Sequence, residues 1–361
     1  MKNGVIVCKA TSNGKNIGDY VQSVAARQFA GADAEAIERE TMDAYDGDTV
    51  KVVMNAWFMH HPERFPPSDH VQTLFASFHL RPEIFDAFFT PETIAYLKRH
   101  APIGCRDRTT EAEMARRGIP AYFSSCVTLT LGETFARGEV SGPPVFVDPY
   151  FKRLPRKWSW TFLWRFVPVA PVLVRHLPTA LRLMLKFRVF RYLTHNSRLP
   201  VRAYYTGVFL RAYLPVFSVR VLAEAEYVTH KVLVNGADDT EMERRAADLL
   251  RRYAHAPFVV TSRLHCALPC LGMGVPVVVP YPERTAKGRF DGNIELLNRM
   301  DWNGFWRLAR PTWLKTKDGR IHSAADIPVR NEWRAYAERL VACCRDFFRS
   351  EDNPNEAGGA R

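Results

Sequence analysis

Several features are missing from this 361-residue chain. Its seven cysteines (8, 105, 126, 266, 270, 343 and 344) contain no Cys-x-x-Cys pair, and an odd number fits no complete disulfide framework. The expectation is a reduced, cytoplasmic protein without structural zinc. No His, Cys and Asp residues fall at ligand spacing, His60 and His61 being merely adjacent, so neither a metal nor a cofactor is expected. The start, MKNGVIVCKATSNG, has an apolar part of only about five residues, too short for a signal peptide. The most apolar region, 158–195, is cut by Arg165, Arg175, Lys186 and several prolines. Its longest uncharged run, 166–174, is far short of the roughly 20 residues that span a bilayer. No RRM, KH or OB pattern appears, so no nucleic-acid partner is expected.

One further absence is local. Residues 151–220 contain 14 Lys and Arg but no Asp or Glu, with tryptophans 158, 160 and 164 interleaved. Near an anionic membrane each such cation is worth roughly 1 kcal/mol, and Trp favours the interface. Prolines 155, 168, 171, 178 and 200 limit the segment to short helices in the membrane plane. The expectation is peripheral attachment to an anionic membrane surface through 151–200. The alternative is a helical insertion between domains whose apolar face packs internally.

What is present is ample material for packed interiors: 47% of residues are hydrophobic and 12% aromatic. At this length two domains are the default. The net charge of +12 attracts anions without choosing among phosphorylated substrates, acidic lipids and nucleic acid. In the first 150 residues short apolar runs alternate with helical patterns. VIVCKA (5–10), VKVVMNAWF (50–58), TLFASFHL (73–80) and IGC (103–105) read as strands. NIGDYVQSVAARQFA (16–30) and RTTEAEMARRG (108–118) read as helices, and AYFSS, VTLTL and VFVD as further strands. From about 221 the alternation resumes. VRVLAEAEYVTHKVLV holds at least one strand, and DDTEMERRAADLLRRYAHA is a capped helix. FVVTS is a strand, RLHCALPCLGMG a helix and VPVVVP a strand. GNIELLNRM (292–300) and NEWRAYAERLVACCRDFFRS (331–350) read as helices. The fold class expected is α/β, with doubly wound parallel sheets in two domains, 1–150 and 206–350. A basic, aromatic insertion at 151–205 separates them, and a disordered tail follows at 351–361.

The stretch TSRLHCALPCLGMGVPVVVP (261–280) places Arg263 and His265 where a strand gives way to a helix. In open α/β sheets ligands bind at the carboxyl ends of strands. Free amides and the helix dipole favour an anion there. Arg263 adds a fork suited to carboxylate or phosphate, and His265 a group titrating near neutrality. Arg106 and Arg108 flank Asp107 after another strand. They either reach an anion across a cleft or form a salt bridge at a helix start that Asp107 caps. Arg284, Lys287 and Arg289 follow VVVP; they contact phosphate or form a solvated basic loop.

These residues carry a resemblance. TSRLHCALPCLGMGVPVVVP resembles the Arg-Leu-His signature of the polysaccharide pyruvyl transferases. NIGDYVQSVAARQF (16–29) resembles that family's Asn-x-Gly-Asp helix start. NAWFMHHPERFPPS (55–68) with FASFHL (75–80) resembles its second block, although Ala56 stands where glycine is expected. IGCRDRTTEAEMARRGIPAYFSSCVTLTL (103–131) resembles its Arg-Asp block, and AEYVTH (225–230) is a minor echo. Residues 151–220 match nothing in the pattern.

The resemblance implies transfer of pyruvate from phosphoenolpyruvate onto two hydroxyls of one sugar, as a cyclic ketal with release of phosphate. It implies two Rossmann-like halves facing a cleft, as in the GT-B glycosyltransferases. Arg263 and His265 are then the expected catalytic residues. Arg263, Ser262, Leu264, Arg106, Arg108 and Arg289 are expected on the donor. Asn16, Gly18, Asp19, Trp57 and His79 are expected on the acceptor, a glycan or lipid-linked oligosaccharide. Asp19 alternatively only caps its helix, Trp57 is alternatively a buried core residue rather than a stacking platform, and His79 a core histidine. A nucleotide-sugar-dependent glycosyltransferase of the same architecture is the competing expectation. It wants a carboxylate for the ribose near the donor loop, where only Glu283 stands.

Overall fold

The computed structural model describes residues 1–8, 15–150, 164, 166–190, 199–232, 238–281, 288, 290–303 and 307–350. Its first half begins with β1 (Lys2–Val7), a short β2 (Lys15–Asn16), α1 (Ile17–Ala30), β3 (Glu35–Glu38) and β4 (Val50–Val53). Then come β5 (Trp57–Phe58), β6 (Val71–Leu74), β7 (His79–Leu80), α2 (Pro91–Arg99), β8 (Ile103–Cys105), α3 (Arg108–Arg116) and β9 (Ala121–Phe123). The main sheet runs β3-β1-β4-β6, every pair parallel. It is prolonged past β6: Gly104 donates to the Phe75 carbonyl, Phe78 donates to that of Gly104, and β8 pairs with β9 in parallel.

The second sheet starts at β10 (Val145–Val147). After it come helices α4 (Ala170–Arg175), α5 (Leu177–Lys186), α6 (Leu199–Tyr213) and α7 (Val219–Glu224), then β11 (Glu226–Val228) and β12 (Lys231–Val232). The chain continues through α8 (Asp239–Ala254), β13 (Val259–Thr261), α9 (Leu264–Gly272), β14 (Val277–Pro280), β15 (Asn298–Met300) and α10 (Arg334–Arg349). The order is β11-β10-β13-β14-β15, again all parallel. In both sheets the first strand lies between the second and the third. The winding therefore reverses beside β1 and β4 in one sheet and beside β10 and β13 in the other, the two places where such sheets open a crevice at their carboxyl ends. Runs such as Val277–Val279 suit this role because strands covered on both faces need apolar side chains throughout.

Several expectations are corrected. VFVD was expected in the first domain, which was expected to end at residue 150; its strand β10 is an interior member of the second sheet, where Phe146 and Val260 share the same apolar cover. VTLTL forms a 3-10 segment, Val127–Glu133, rather than a strand. The run alternates apolar and polar residues as a strand would, but Val127, Leu129 and Leu131 all enter the shared core and Thr130 Oγ1 donates back to the Val127 carbonyl at 2.7 Å, so tertiary packing overrides the local period. GNIELLNRM holds a single 3-10 turn, Ile294–Leu296, and then β15, whose pairing with β14 extends the sheet by a strand. VRVLAEAEYVTHKVLV, by contrast, does hold the expected strand, β11, after opening as helix α7, capped by the Ser218 side chain.

The two sheets share their largest core. Tyr20, Val21 and Ala25 of α1 pack with Met242 and Leu250 of α8 and with Cys266 and Cys270 of α9. Arg27 on α1 grips Glu243 on α8 through two bonds of 2.7 and 3.0 Å, the fork geometry that favours arginine. The amino end of α1 is stitched down as well: β2 pairs antiparallel with β12, and Ile17 donates to the His230 carbonyl at 2.8 Å. Helix α10 returns to the first half, where the Lys51 ammonium donates to the carbonyls of Phe347 and Ser350.

In the segment between the halves, the described residues are mostly helical. Leu183, Phe187 and Phe190 pack with Phe209 and Tyr213 of α6 against Phe146 and Tyr227 of the second sheet. Internal packing therefore accounts for one face of these helices. Among the described residues no helix is long and apolar enough to cross a membrane. Trp158, Trp160 and the tail at 351–361 lie outside the described residues.

In LGMGV, Gly274 takes a left-handed φ of +76°, whereas Gly272 is required by backbone contact with the segment around Gly132. A methyl at Gly272 would lie 2.1 Å from the Leu129 carbonyl oxygen, and one at Gly132 would lie 2.3 Å from that of Gly272. Backbone cannot retreat as a side chain does, so overpacking here is costly. Gly272→Ala is expected to lower the free energy of unfolding by about 1–3 kcal/mol or more, read in equilibrium urea melts. An unchanged midpoint and slope would contradict this contact.

Candidate functional site

Three strand-to-helix junctions meet between the sheets. The first is the start of α1. Asn16 caps it, its side-chain oxygen accepting from the Gly18 amide at 3.3 Å while its amide group donates to Asp19 at 3.3 Å. Asp19 therefore stands in the first turn, where the helix dipole favours an acid. The second is the start of α9. Arg263 is its cap residue, and no side chain caps this end. His265 leaves helical geometry at ψ 20°, which turns it out of the regular first turn. The third is the end of β8, from which Arg106 projects.

These junctions are in direct contact. A Cβ at Gly18 would meet that of His265 at 3.4 Å, so glycine lets α1 approach the histidine closely. Arg106 donates from Nη1 to His265 Nε2 and to the Gln22 side-chain oxygen, both at 3.4 Å. A guanidinium only donates, so His265 Nε2 presents its lone pair in this contact.

Arg106 is the site's electrostatic anomaly. It is 3% exposed, its Nε has no hydrogen-bond partner, and no ion pair reaches it among the described residues. Burial lowers its pKa and outweighs the opposing fields of Cys126, Asp107 and Asp19. A buried cation held by neutral groups is costly unless an anion completes the site.

Arg263 is held differently. Its Nε donates to Asp148 Oδ2 at 2.9 Å, Asp148 being 4% and Arg263 29% exposed at the side chain. The same carboxylate oxygen accepts from the His230 amide at 3.0 Å, and Ser262 Oγ donates to the Asp148 carbonyl at 2.7 Å. Asp148 sits at φ +41° straight after β10, at the second sheet's crevice. It orients Arg263 through the guanidinium Nε.

Other expected site residues fall in varied places. Ser262 serves as a brace, and the Leu264 side chain lies in the core, leaving only its amide at the helix start. Arg108 is exposed, pairs with Glu111 at 3.2 Å and lies over the Phe123 ring. Among the described residues its side chain is bonded to Glu111, not to Arg106 or His265. His79 is buried, its Nδ1 bonded to Asp107 Oδ2 at 2.5 Å, while the other oxygen of Asp107 accepts from the Thr110 amide as the α3 cap. Trp57 is half-buried beside His79 across the β5–β7 pair, with the guanidiniums of Arg39 and Arg81 over its ring at 4.5 and 4.0 Å. Its faces thus already carry cations. Arg289, with Arg284 and Lys287, lies outside the described residues.

Sequence reasoning passed over Gln22, Asp148, His230, Asn293 and Ser125. Gln22 follows Asp19 by three residues on one face of α1, and Asp148 closes the apolar run VFV just as Arg106 closes IGC; both signals were present. Asn293 donates to the Arg106 carbonyl at 2.8 Å and accepts from Ser125 at 2.6 Å, which ties the two halves together at the site. No local pattern marks either residue.

An α/β protein with two sheet crevices and a buried, anion-seeking arginine beside a histidine is thereby defined. Residues 76–280 match the polysaccharide pyruvyl transferase family, and the chain, matched over more than half its length, belongs to it. It is an enzyme that transfers pyruvate onto polysaccharide. Comparison with curated proteins and with solved structures returns no match to either.

Arg106→Met is expected to unfold at the same or higher denaturant concentration than the unaltered protein. Loss of the unpaired buried charge offsets the Gln22 oxygen left without its donor, about 1–3 kcal/mol. Turnover should collapse in the same variant. A large loss of stability would mean that the guanidinium is a structural strut.

Proposed function

We propose that the donor is phosphoenolpyruvate and that its pyruvate is transferred to two hydroxyls of one sugar, in a polysaccharide or a lipid-linked oligosaccharide precursor. The observation that carries this reading is Arg106, a buried guanidinium bonded only to neutral side chains and touching His265. A small, multiply charged anion is what such a group lacks. Arg263, oriented by Asp148, supplies a second fork, and the uncapped start of α9 supplies amides from Leu264 onward. Arg108 and Arg289 remain assigned to the donor in this reading by their sequence positions alone.

The chemistry balances as follows. One sugar hydroxyl adds to C2 of the enol, its O–H proton being lost as the methylene carbon gains a proton and becomes methyl. The second hydroxyl forms the other C2–O bond as the C2–O bond to phosphate breaks, and inorganic phosphate leaves with the remaining proton. His265, with an Nε2 lone pair at the junction, is the group placed to take and return these protons. The arginines balance the charge of the departing phosphate. Asn16, Gly18 and Asp19, across from His265, are the proposed acceptor contacts. Trp57 and His79 belong to that side too, Trp57 through an edge if its ring keeps its arginines. The two sheets correspond in this reading to the two halves of a GT-B-like architecture, and the reaction takes place in the cytoplasm with no metal or organic cofactor.

Thermal and chemical melts with phosphoenolpyruvate, against UDP- and GDP-sugars, test the donor. A ligand at 100 times its dissociation constant adds about 2.7 kcal/mol. Stabilisation by phosphoenolpyruvate alone, lost in Arg263→Ala, is the expected result; stabilisation by a nucleotide sugar instead would overturn it. His265→Ala is expected to lower kcat by about 10²–10⁴-fold with the donor still bound. Full turnover in that variant would remove His265 from the chemistry.

A further inference from the structure

Helix α5 has two apolar faces, and only one is covered. Thr179, Ala180 and Leu183 face inward, and Phe187 continues that face into the cluster around Phe209 and Tyr227. On the other side Leu177, Leu181 and Leu185 recur every four residues at 52, 54 and 62% exposure, and Val174, near the end of the preceding helix α4, is 75% exposed. Four-residue spacing puts the leucines in one row along the helix. Arg175, Arg182 and Arg188 are exposed beside that row. The helix is also firmly seated: the Lys186 ammonium donates to the carbonyls of Ala223, Glu224 and Ala225 at 2.7, 3.2 and 2.7 Å, closing the end of α7.

We infer that the Leu177–Leu181–Leu185 row, with the exposed Val174, Arg175, Arg182 and Arg188, is the surface by which this protein lies on an anionic bilayer. Charge complementarity selects the occupant. The sequence from 151 to 220 carries 14 cations and no anion, so a second copy of the chain meeting this face about a two-fold axis would set cations against cations. Nucleic acid would meet the arginines but gain nothing from a row of leucines. A membrane of anionic lipids offers phosphates to the arginines and acyl chains to the leucines, the pairing that interfacial helices exploit. A helix of this length can lie in the interface but not cross it. The inference does not depend on the donor assignment, because lipid binding is read without phosphoenolpyruvate or turnover.

The test is cosedimentation of the full chain with phosphatidylcholine vesicles, with and without phosphatidylglycerol, at low and high salt, with sedimentation equilibrium of the free protein alongside. Binding is expected only to the anionic vesicles and is expected to weaken with salt. Leu177→Gln, Leu181→Gln and Leu185→Gln together should weaken it about tenfold or more. Arg175→Gln, Arg182→Gln and Arg188→Gln should weaken it by about fivefold for each cation removed. Both variants change exposed side chains and should melt like the unaltered protein. Equal binding to neutral vesicles, binding to neither, or unchanged binding in either variant would overturn the inference. So would a dimer that the leucine changes dissolve without any vesicle binding.

Discussion

The contact between Arg106 and His265 is the point on which the site depends. It needs a strand from the first half, ending in IGC, to deliver a guanidinium to a helix start in the second. Gly18 stands beside it, where an added Cβ would lie 3.4 Å from that of His265. Gln22 holds the guanidinium through a neutral oxygen, and Asn293 of the second half anchors its backbone carbonyl. Each partner positions the arginine without neutralising it. A carboxylate in Gln22's place would satisfy the cation and remove its demand for an external anion. The arrangement is thus a stability cost retained at one place, the usual signature of a functional centre.

Arg263 shows the contrasting solution. Its charge is already met by Asp148, so its role in the proposed reaction is geometric: a fork fixed in direction by a buried carboxylate, which is itself held by the His230 amide. The two arginines therefore differ in kind. One brings unbalanced charge and the other orientation. Together they suit a ligand with two anionic ends.

The shared core explains how such a site stays aligned. Helix α1 belongs by sequence to the first sheet, yet Tyr20, Val21 and Ala25 are buried among side chains of α8 and α9, and Arg27 is locked to Glu243. The site lies at the amino end of this same helix. A rotation of one half against the other would shear the α1 packing before it moved Gly18 away from His265. The inserted helices play no part in that alignment. They cover the far side of the second sheet through Phe187 and Phe209 and present the leucine row outward.

The alternation of strands and helices, and hence the parallel sheets, is legible in the amino-acid order, because runs of apolar residues and amphipathic periodicity are local properties. That order also determined that Arg106, Arg263 and His265 end strands or begin helices, and the ordered motifs named the family. It could not assign VFV to its sheet, since a buried strand's neighbours are chosen by long-range pairing. For the same reason VTLTL, despite its strict alternation, and GNIELLNRM took their form from what packs on them. Which cation is enclosed without an ion pair emerges from the folded arrangement alone. Arg106 and Arg108 stand two residues apart with the same charge, yet Arg108 reaches Glu111 and solvent while Arg106 is enclosed with Gln22 and His265. Charge is written in the sequence; its compensation depends on groups brought together across the chain, 84 and 159 residues away from Arg106.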